Sequence, residues 1–174
     1  MKNYLTQTII ALVAFHTVFV LLVTGALRDL KAWFKEPIII RGCEARGDAH
    51  SAYLSRWKIF QRNWGALYFH KFHRSDADDL HDHPWNFISV ILWRGYHEVV
   101  MDPDKPNVNG AYLCKRVYPG TIIYRKATHT HRVVLLGYKP AYTLVFRFKY
   151  VRFWGFYVRG NWQIFREYFK ENGC

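Results

Sequence analysis

Two hydrophobic rhythms divide the chain. From Ile9 to Leu27 it reads IIALVAFHTVFVLLVTGAL, an apolar run without a formal charge. From Trp64 onward the apolar segments are short and broken by turn residues. The first rhythm predicts a helix just long enough to span a bilayer core, which takes roughly 20 apolar residues. The second predicts strands, which short apolar runs bounded by Gly, Pro and Asp favour.

The predicted strands are Leu67–Phe72, Trp85–Trp93, Tyr96–Met101, Tyr112–Tyr118, Thr121–Arg125, His131–Leu136, Tyr142–Lys149 and Phe153–Val158. Arg94-Gly95, Asp102–Gly110, Pro119-Gly120 and Gly137–Pro140 supply the turns between most of them. Eight short strands with regular turns predict an all-β sandwich or barrel. Pro37–Arg41 reads as one further short strand. Two segments read as helices. In Ala52–Arg62 the residues Tyr53, Trp57 and Phe60 fall at helical spacing, and Trp162, Phe165 and Phe169 do so in a closing helix over Trp162–Phe169.

The N-terminal run admits three readings: a membrane anchor, a cleaved secretory signal, or a buried core helix. Lys2 leads the run and Gly25-Ala26 offers small residues near its end, as a signal would. For an anchor, Arg28, Lys31, Lys35, Arg41 and Arg46 follow the run while Lys2 alone precedes it. That asymmetry predicts a single-pass membrane protein with its C-terminal domain in the cytoplasm. Glu36-Pro37 breaks any helix. The expected organisation is an anchor over residues 1–34 and a barrel domain over residues 35–174, with the membrane contacted through residues 9–27.

Composition narrows the function classes. Hydrophobic residues make up 51% and aromatics 18%, which excludes a disordered chain. The formal net charge of +12 predicts attraction to anionic partners: lipid headgroups, nucleic acid or an acidic small molecule. No run of five Lys/Arg residues occurs, which argues against nucleic acid. The cysteines are Cys43, Cys114 and Cys174. Without a CxxC pair a zinc ribbon is excluded. Free thiols in a reducing compartment are the simplest account, and one disulfide plus one free thiol is the alternative. Cys114 reads as a core residue.

The chemistry concentrates in histidines. In His81-Asp82-His83 the two imidazoles are two residues apart, so on a strand they share a face. His129 and His131 repeat the spacing on a later strand. Two imidazoles from one strand and a third from another make a facial set for a divalent transition metal, with positions left open for water or substrate. His131 is the preferred third ligand and His129 its rival. The competing reading is histidines packed at a barrel mouth. Asp76, Asp78, Asp79 and Asp82 lie beside the first pair, where they would orient imidazoles or hold a loop. Arg94, Arg116, Arg125 and Arg147 lie on or beside strands, and any that point inward would clamp a carboxylate or phosphate.

The pattern resembles the cupin superfamily. Its first motif is similar to Gly-x5-His-x-His-x4-Glu-x6-Gly. Here His81-x-His83 is followed by four residues, Ile88, six residues and Gly95, so the register agrees while Ile88 stands at the glutamate position. The second motif, similar to Pro-x-Gly-x2-His-x3-Asn, matches Arg125 to Val133 loosely, with Pro119-Gly120 before it. His81 to Trp93, His131-Arg132-Val133 and Trp154-Gly155-Phe156 also look like small bacterial and phage cupin-like proteins. The resemblance covers roughly residues 65 to 170. It implies a jelly-roll, double-stranded β-helix barrel and a metal centre of His81, His83 and His131 or His129. Fe(II) is favoured, as in three-histidine dioxygenases, with Zn, Ni or Mn as alternatives. Glu98, Arg125, Tyr124 and Trp85 become candidates for supporting the centre or binding a small anionic substrate. A homodimer is a further implication. The functions implied are a membrane-anchored metal-dependent enzyme or a non-catalytic ligand-binding or sensory module; a basic membrane-surface or nucleic-acid-binding protein is the remaining class.

Overall fold

The computed structural model describes residues 36–77, 79–104 and 110–174. They form β1 (Ile38–Arg41), β2 (Ala52–Arg62), β3 (Gly65–Phe72), β4 (Leu80–His81), β5 (Phe87–Trp93), β6 (Tyr96–Met101), β7 (Tyr112–Val117), β8 (Ile122–Arg125), β9 (His131–Leu135), β10 (Ala141–Phe148), β11 (Gly155–Val158), β12 (Asn161–Ile164) and a helix, α1 (Phe165–Asn172). One antiparallel sheet runs β1-β2-β3-β10-β5-β8 and the other β12-β11-β4-β9-β6-β7. The strands from β3 to β10 make four-stranded halves, β3-β10-β5-β8 and β4-β9-β6-β7. This interleaved order is a jelly roll, two Greek keys wound into one barrel. The all-β reading holds, with β1, β2, β11, β12 and α1 added at the sides.

Alternation sets the barrel interior. In β5 the residues Phe87, Ser89 and Ile91 are buried, whereas Ile88 and Val90 between them are less so. One end is filled by Ile91, Tyr96, Val117, Val133, Leu135 and Ala141, with Phe72 and Ile123 against them. Gly95 sits at this end with φ +68°, and a Cβ there would meet the Val117 carbonyl oxygen at 2.1 Å. Only glycine fits that approach.

Three expectations are corrected. Ala52–Arg62 is a strand, hydrogen-bonded to β1 on one side and β3 on the other. Ladder bonds on both sides override a weak helical spacing of aromatics. The closing segment is β12 followed by α1, because Arg159 and Gly160 both take positive φ and turn β11 back into a hairpin. Phe165 and Tyr168 then stack on Trp154 and Phe156, with centroids 5.0 and 3.8 Å apart. The single-pass membrane location is also corrected. Among the described residues no helix is long and apolar enough to cross a membrane, and α1 has 8 residues. Residues 1–34, including the run at 9–27, lie outside the described residues.

Cys43 and Cys174 form a disulfide, with Cα atoms 4.2 Å apart, in place of the expected free thiols. Cys114 is exposed on β7, not buried in the core.

Candidate metal centre

His81 on β4 pairs directly with His131 on β9. Asp82 points to the opposite side and is 0% exposed. Its carboxylate accepts from Gly155 N at 2.7 Å, Arg152 Nη1 at 2.6 Å and Trp162 Nε1 at 3.1 Å. The aspartate therefore ties the short β4 to the β11–β12 hairpin, and the backbone alternation around it turns His81 and His83 together into the barrel.

The three rings form a triangle. Centroids are 5.0 Å apart for His81–His83, 5.2 Å for His81–His131 and 5.1 Å for His83–His131. Ligand nitrogens of the three lie within 4.8 Å of one another. His83 Nε2 and His131 Nε2 are 2.9 Å apart. That separation is the chord of about 90° between two bonds of about 2.1 Å, the usual length from an imidazole to a divalent transition metal. The donor set fits such an ion.

Protonation fits as well. Burial holds His81 down to about 4, with Asp76 opposing and His131 adding to the shift. Burial, reinforced by His81, His131, His129 and Arg56, holds His83 well below its ordinary value. Both imidazoles are neutral at neutral pH, as ligation requires. Glu98 on β6 is 3% exposed. Burial alone would raise its pKa, but hydrogen bonds from His129, His131 and Arg125 outweigh it and hold the carboxylate ionised. An ionised carboxylate only accepts. His131 Nδ1, 2.7 Å from Glu98 Oε1, therefore carries its proton, which leaves the Nε2 lone pair facing the other two histidines. Arg125 Nε donates to the same oxygen at 2.9 Å and its Nη2 to Oε2. This arrangement has the form of the carboxylate–histidine support that would fix a metal-ligating imidazole in one tautomer.

The other expected residues separate. His129 Nε2 lies 3.2 Å from Glu98 Oε1, and its side chain is 31% exposed. It joins a neighbouring group with Glu98 and His131 and not the three-histidine set. Tyr124 is 40% exposed and lines a shallow outer hollow with Arg125, Lys126, Thr128 and His129. Trp85 lines the main cavity beneath the Arg147 guanidinium, 4.9 Å from ring centroid to Cζ. Asp76 accepts from Tyr53 Oη and, at 2.5 Å, from Val133 N, and its Oδ2 lies 4.0 Å from His81 Nδ1. Asp79 accepts from Tyr168 Oη at 2.9 Å, and Asp78 lies outside the described residues.

Ile88 does not mark a lost ligand. Phe87 and Ser89 line the cavity and Ile88 does not, because adjacent strand residues face opposite ways. Phe87 is the inward residue here, its ring 4.6 Å from that of His83.

The three histidines open into a cavity of about 470 Å³. Sequence reasoning missed several of its walls. Arg56 and Tyr53 were hidden because their segment reads as a helix. His70 has no histidine two residues away to mark it as one of a pair. Arg56 Nε donates to His70 Nε2 at 3.1 Å.

The fold is cupin-like. That assignment stands on strand order and pairing. No family model matches the chain, and no curated protein matches it. Among solved structures, the polyketide cyclase RemF from Streptomyces resistomycificus is 18% identical with a TM-score of 0.42, covering 55% of this chain and 64% of its own. The chain thus spans just under two thirds of that relative. A protein with a double-stranded β-helix domain from Klebsiella pneumoniae gives 11% and 0.46, covering 61% of this chain and 85% of its own. A cupin domain from Bordetella pertussis gives 12% and 0.41, covering 67% and 98%.

Proposed function

We propose that this chain is a metal-dependent cupin-like enzyme that holds Fe(II) through His81, His83 and His131 and acts on a small anionic molecule. The observation that carries the reading is the convergence of three imidazoles, two partly buried and one buried and backed by an ionised glutamate, on the wall of one cavity. A divalent ion with open positions supplies Lewis acidity and, if it is iron, a site for oxygen. The protein's own groups do the rest. Glu98 fixes the His131 tautomer, and hydrogen bonds from His129, His131 and Arg125 keep Glu98 ionised. Phe87, Trp154 and Phe156 surround the imidazoles with apolar surface and keep bulk water from them. The cavity of about 470 Å³ leaves room for a small molecule beside the histidines.

Elemental analysis of the full chain tests the reading. One equivalent of metal is expected after reconstitution with Fe(II), and loss of it in both H81A and H83A. A folded wild-type protein that takes up neither Fe(II) nor Zn(II) would sink the proposal.

A further inference from the structure

The face of the cavity built by β2, β3, β10 and β5 carries charge that the histidine centre does not use. Arg56, Tyr68, His70, Ser89, Thr143 and Arg147 all line it. Register explains their grouping. Arg56 pairs with His70, and His70 with Thr143, across β2, β3 and β10. Arg147 lies two inward positions along β10 from Thr143, with Val145 between them opposite Ser89.

Two guanidinium groups thus share this face of the cavity. Among the described residues, no carboxylate lies within 4.0 Å of either. Each has an aromatic support: the Arg56 Cζ lies 5.2 Å from the Tyr68 centroid and the Arg147 Cζ 4.9 Å from that of Trp85. Stacking of this kind fixes the plane of a guanidinium; Arg56 Nε donates to His70 Nε2 and Arg147 Nη1 to the Phe148 carbonyl at 3.3 Å, which leaves further N–H groups on each to donate. Arg147 Nε is buried without a hydrogen-bond partner, and so is the Thr143 hydroxyl, whose residue is 1% exposed. Buried donors without partners are costly, and buried like charges more so. Elsewhere the chain balances such groups: Arg125 is set against Glu98 and Arg152 against Asp82. The exception at Arg56 and Arg147 has the form of a site whose counter-charge arrives with a ligand.

We propose that Arg56 and Arg147, with the Thr143 hydroxyl, form an oxyanion subsite that receives the carboxylate or phosphate end of the substrate. The inference rests on the enzyme reading above for the word substrate, but the oxyanion site itself stands without a metal. It sets a polarity for binding: the anionic end lies against β2 and β10, and the rest of the molecule lies toward His81, His83 and His131 on the facing sheet. A guanidinium pair suits the two-point geometry of carboxylate and phosphate oxygens. Phe72, Phe87 and Tyr96 add apolar wall for a body attached to that end.

The test uses the full chain, freed of metal with a chelator that is then dialysed away. Binding of inorganic phosphate and of hexanoate is measured by calorimetry. The wild type is expected to bind at least one of the two at one site per chain, and whichever binds tighter identifies the anionic group. R56M and R147M are each expected to weaken that binding at least tenfold. R116M, which removes a charge from the outer surface of β7, is expected to leave it within twofold. If a Met variant fails to fold, R56K and R147K replace it. They keep the charge, lose the paired geometry, and are expected to weaken binding threefold or more. Binding that is absent in the wild type, or equal in wild type and cavity variants, overturns the subsite. Metal uptake by the same wild-type protein is read separately, so loss of one proposal is distinguishable from loss of the other.

Discussion

Replacing Glu98 with Gln removes one charge and keeps the shape. The carboxylate accepts from His131 Nδ1 at 2.7 Å, His129 Nε2 at 3.2 Å and Arg125 Nε at 2.9 Å, all through Oε1, while Oε2 takes Arg125 Nη2. A Gln side chain has one oxygen for these donors and presents an NH2 where Arg125 or the histidines expect an acceptor. His131 then no longer has a fixed Nδ1–H tautomer, and its Nε2 lone pair faces the other imidazoles only part of the time. Loss of such support behind a ligating histidine lowers metal affinity about 10–100-fold, or about 1.4–2.8 kcal/mol. Stability falls too. Removing one partner of a buried ion pair costs about 3–5 kcal/mol. Arg125 retains 18% side-chain exposure, which places the expected loss near about 3 kcal/mol at the lower end of that range. Metal affinity is read by competition against a chromophoric chelator and stability by urea unfolding of the metal-free protein. H129A is the internal control. It leaves the Glu98–His131 bond in place, so its metal affinity stays within about threefold of wild type while E98Q falls. Equal affinity in E98Q and wild type, or a larger loss in H129A than in E98Q, refutes the assignment of roles to these residues.

Stability of the metal-free protein is expected to fall between pH 7 and pH 5. Burial holds His70, His81 and His83 below their ordinary values, so the unfolded chain takes up protons first as pH drops through about 6.5. With His81 held at about 4, that residue alone accounts for about 2 kcal/mol of loss at pH 5; a urea midpoint equal at pH 7.5 and pH 5 contradicts this. The Cys43–Cys174 disulfide spans a sequence separation of 131, and C43S is expected to lower stability by about 2–4 kcal/mol, with C114S as the silent comparison. Thermal unfolding with and without reductant checks it, and unchanged midpoints refute it. D82N is expected to unfold earlier than wild type yet bind a full equivalent of metal while folded, because Asp82 faces Arg152, Gly155 and Trp162 and not the imidazoles; elemental analysis showing the metal lost from folded D82N contradicts that role.

The histidine pair was legible because strand alternation needs only a spacing of two to place His81 and His83 on one side. His131 was legible because it begins an apolar strand. The strand carrying His81 was not, since β4 has 2 residues and its existence depends on pairing with β9 and β11. β2 failed for the related reason that a strand held by neighbours on both sides needs no local signal of its own. Trp57 and Phe60 straddle a register shift between Lys58 and Phe60, and that irregularity is what imitates helical spacing. The same misreading concealed Arg56, and with it the cationic side of the cavity. Cys43 and Cys174 were visible, but only the fold brings residues so distant in sequence within bonding reach.

The position of Ile88 shows how a motif and a strand can disagree. Counted along the sequence, residue 88 stands where the cupin-like pattern has a carboxylate. On β5 it faces away from the imidazoles, since Phe87 and Ser89 take the inward places. A glutamate introduced at 88 would therefore not reach the centre without a one-residue slip, which would turn Phe87 and Ser89 outward as well. The barrel places its carboxylate on β6 instead, where Glu98 lies opposite Val133 on β9 and reaches His131 from behind. If the three histidines hold a metal, the anion would stand behind a ligand and not in contact with the ion, held ionised by hydrogen bonds from His129, His131 and Arg125. Such a centre would have three imidazole donors and no carboxylate among them. Arg56 and Arg147 add positive charge across the same cavity. Under the proposed function both sides of the cavity would favour the same kind of guest, a small molecule carrying negative charge.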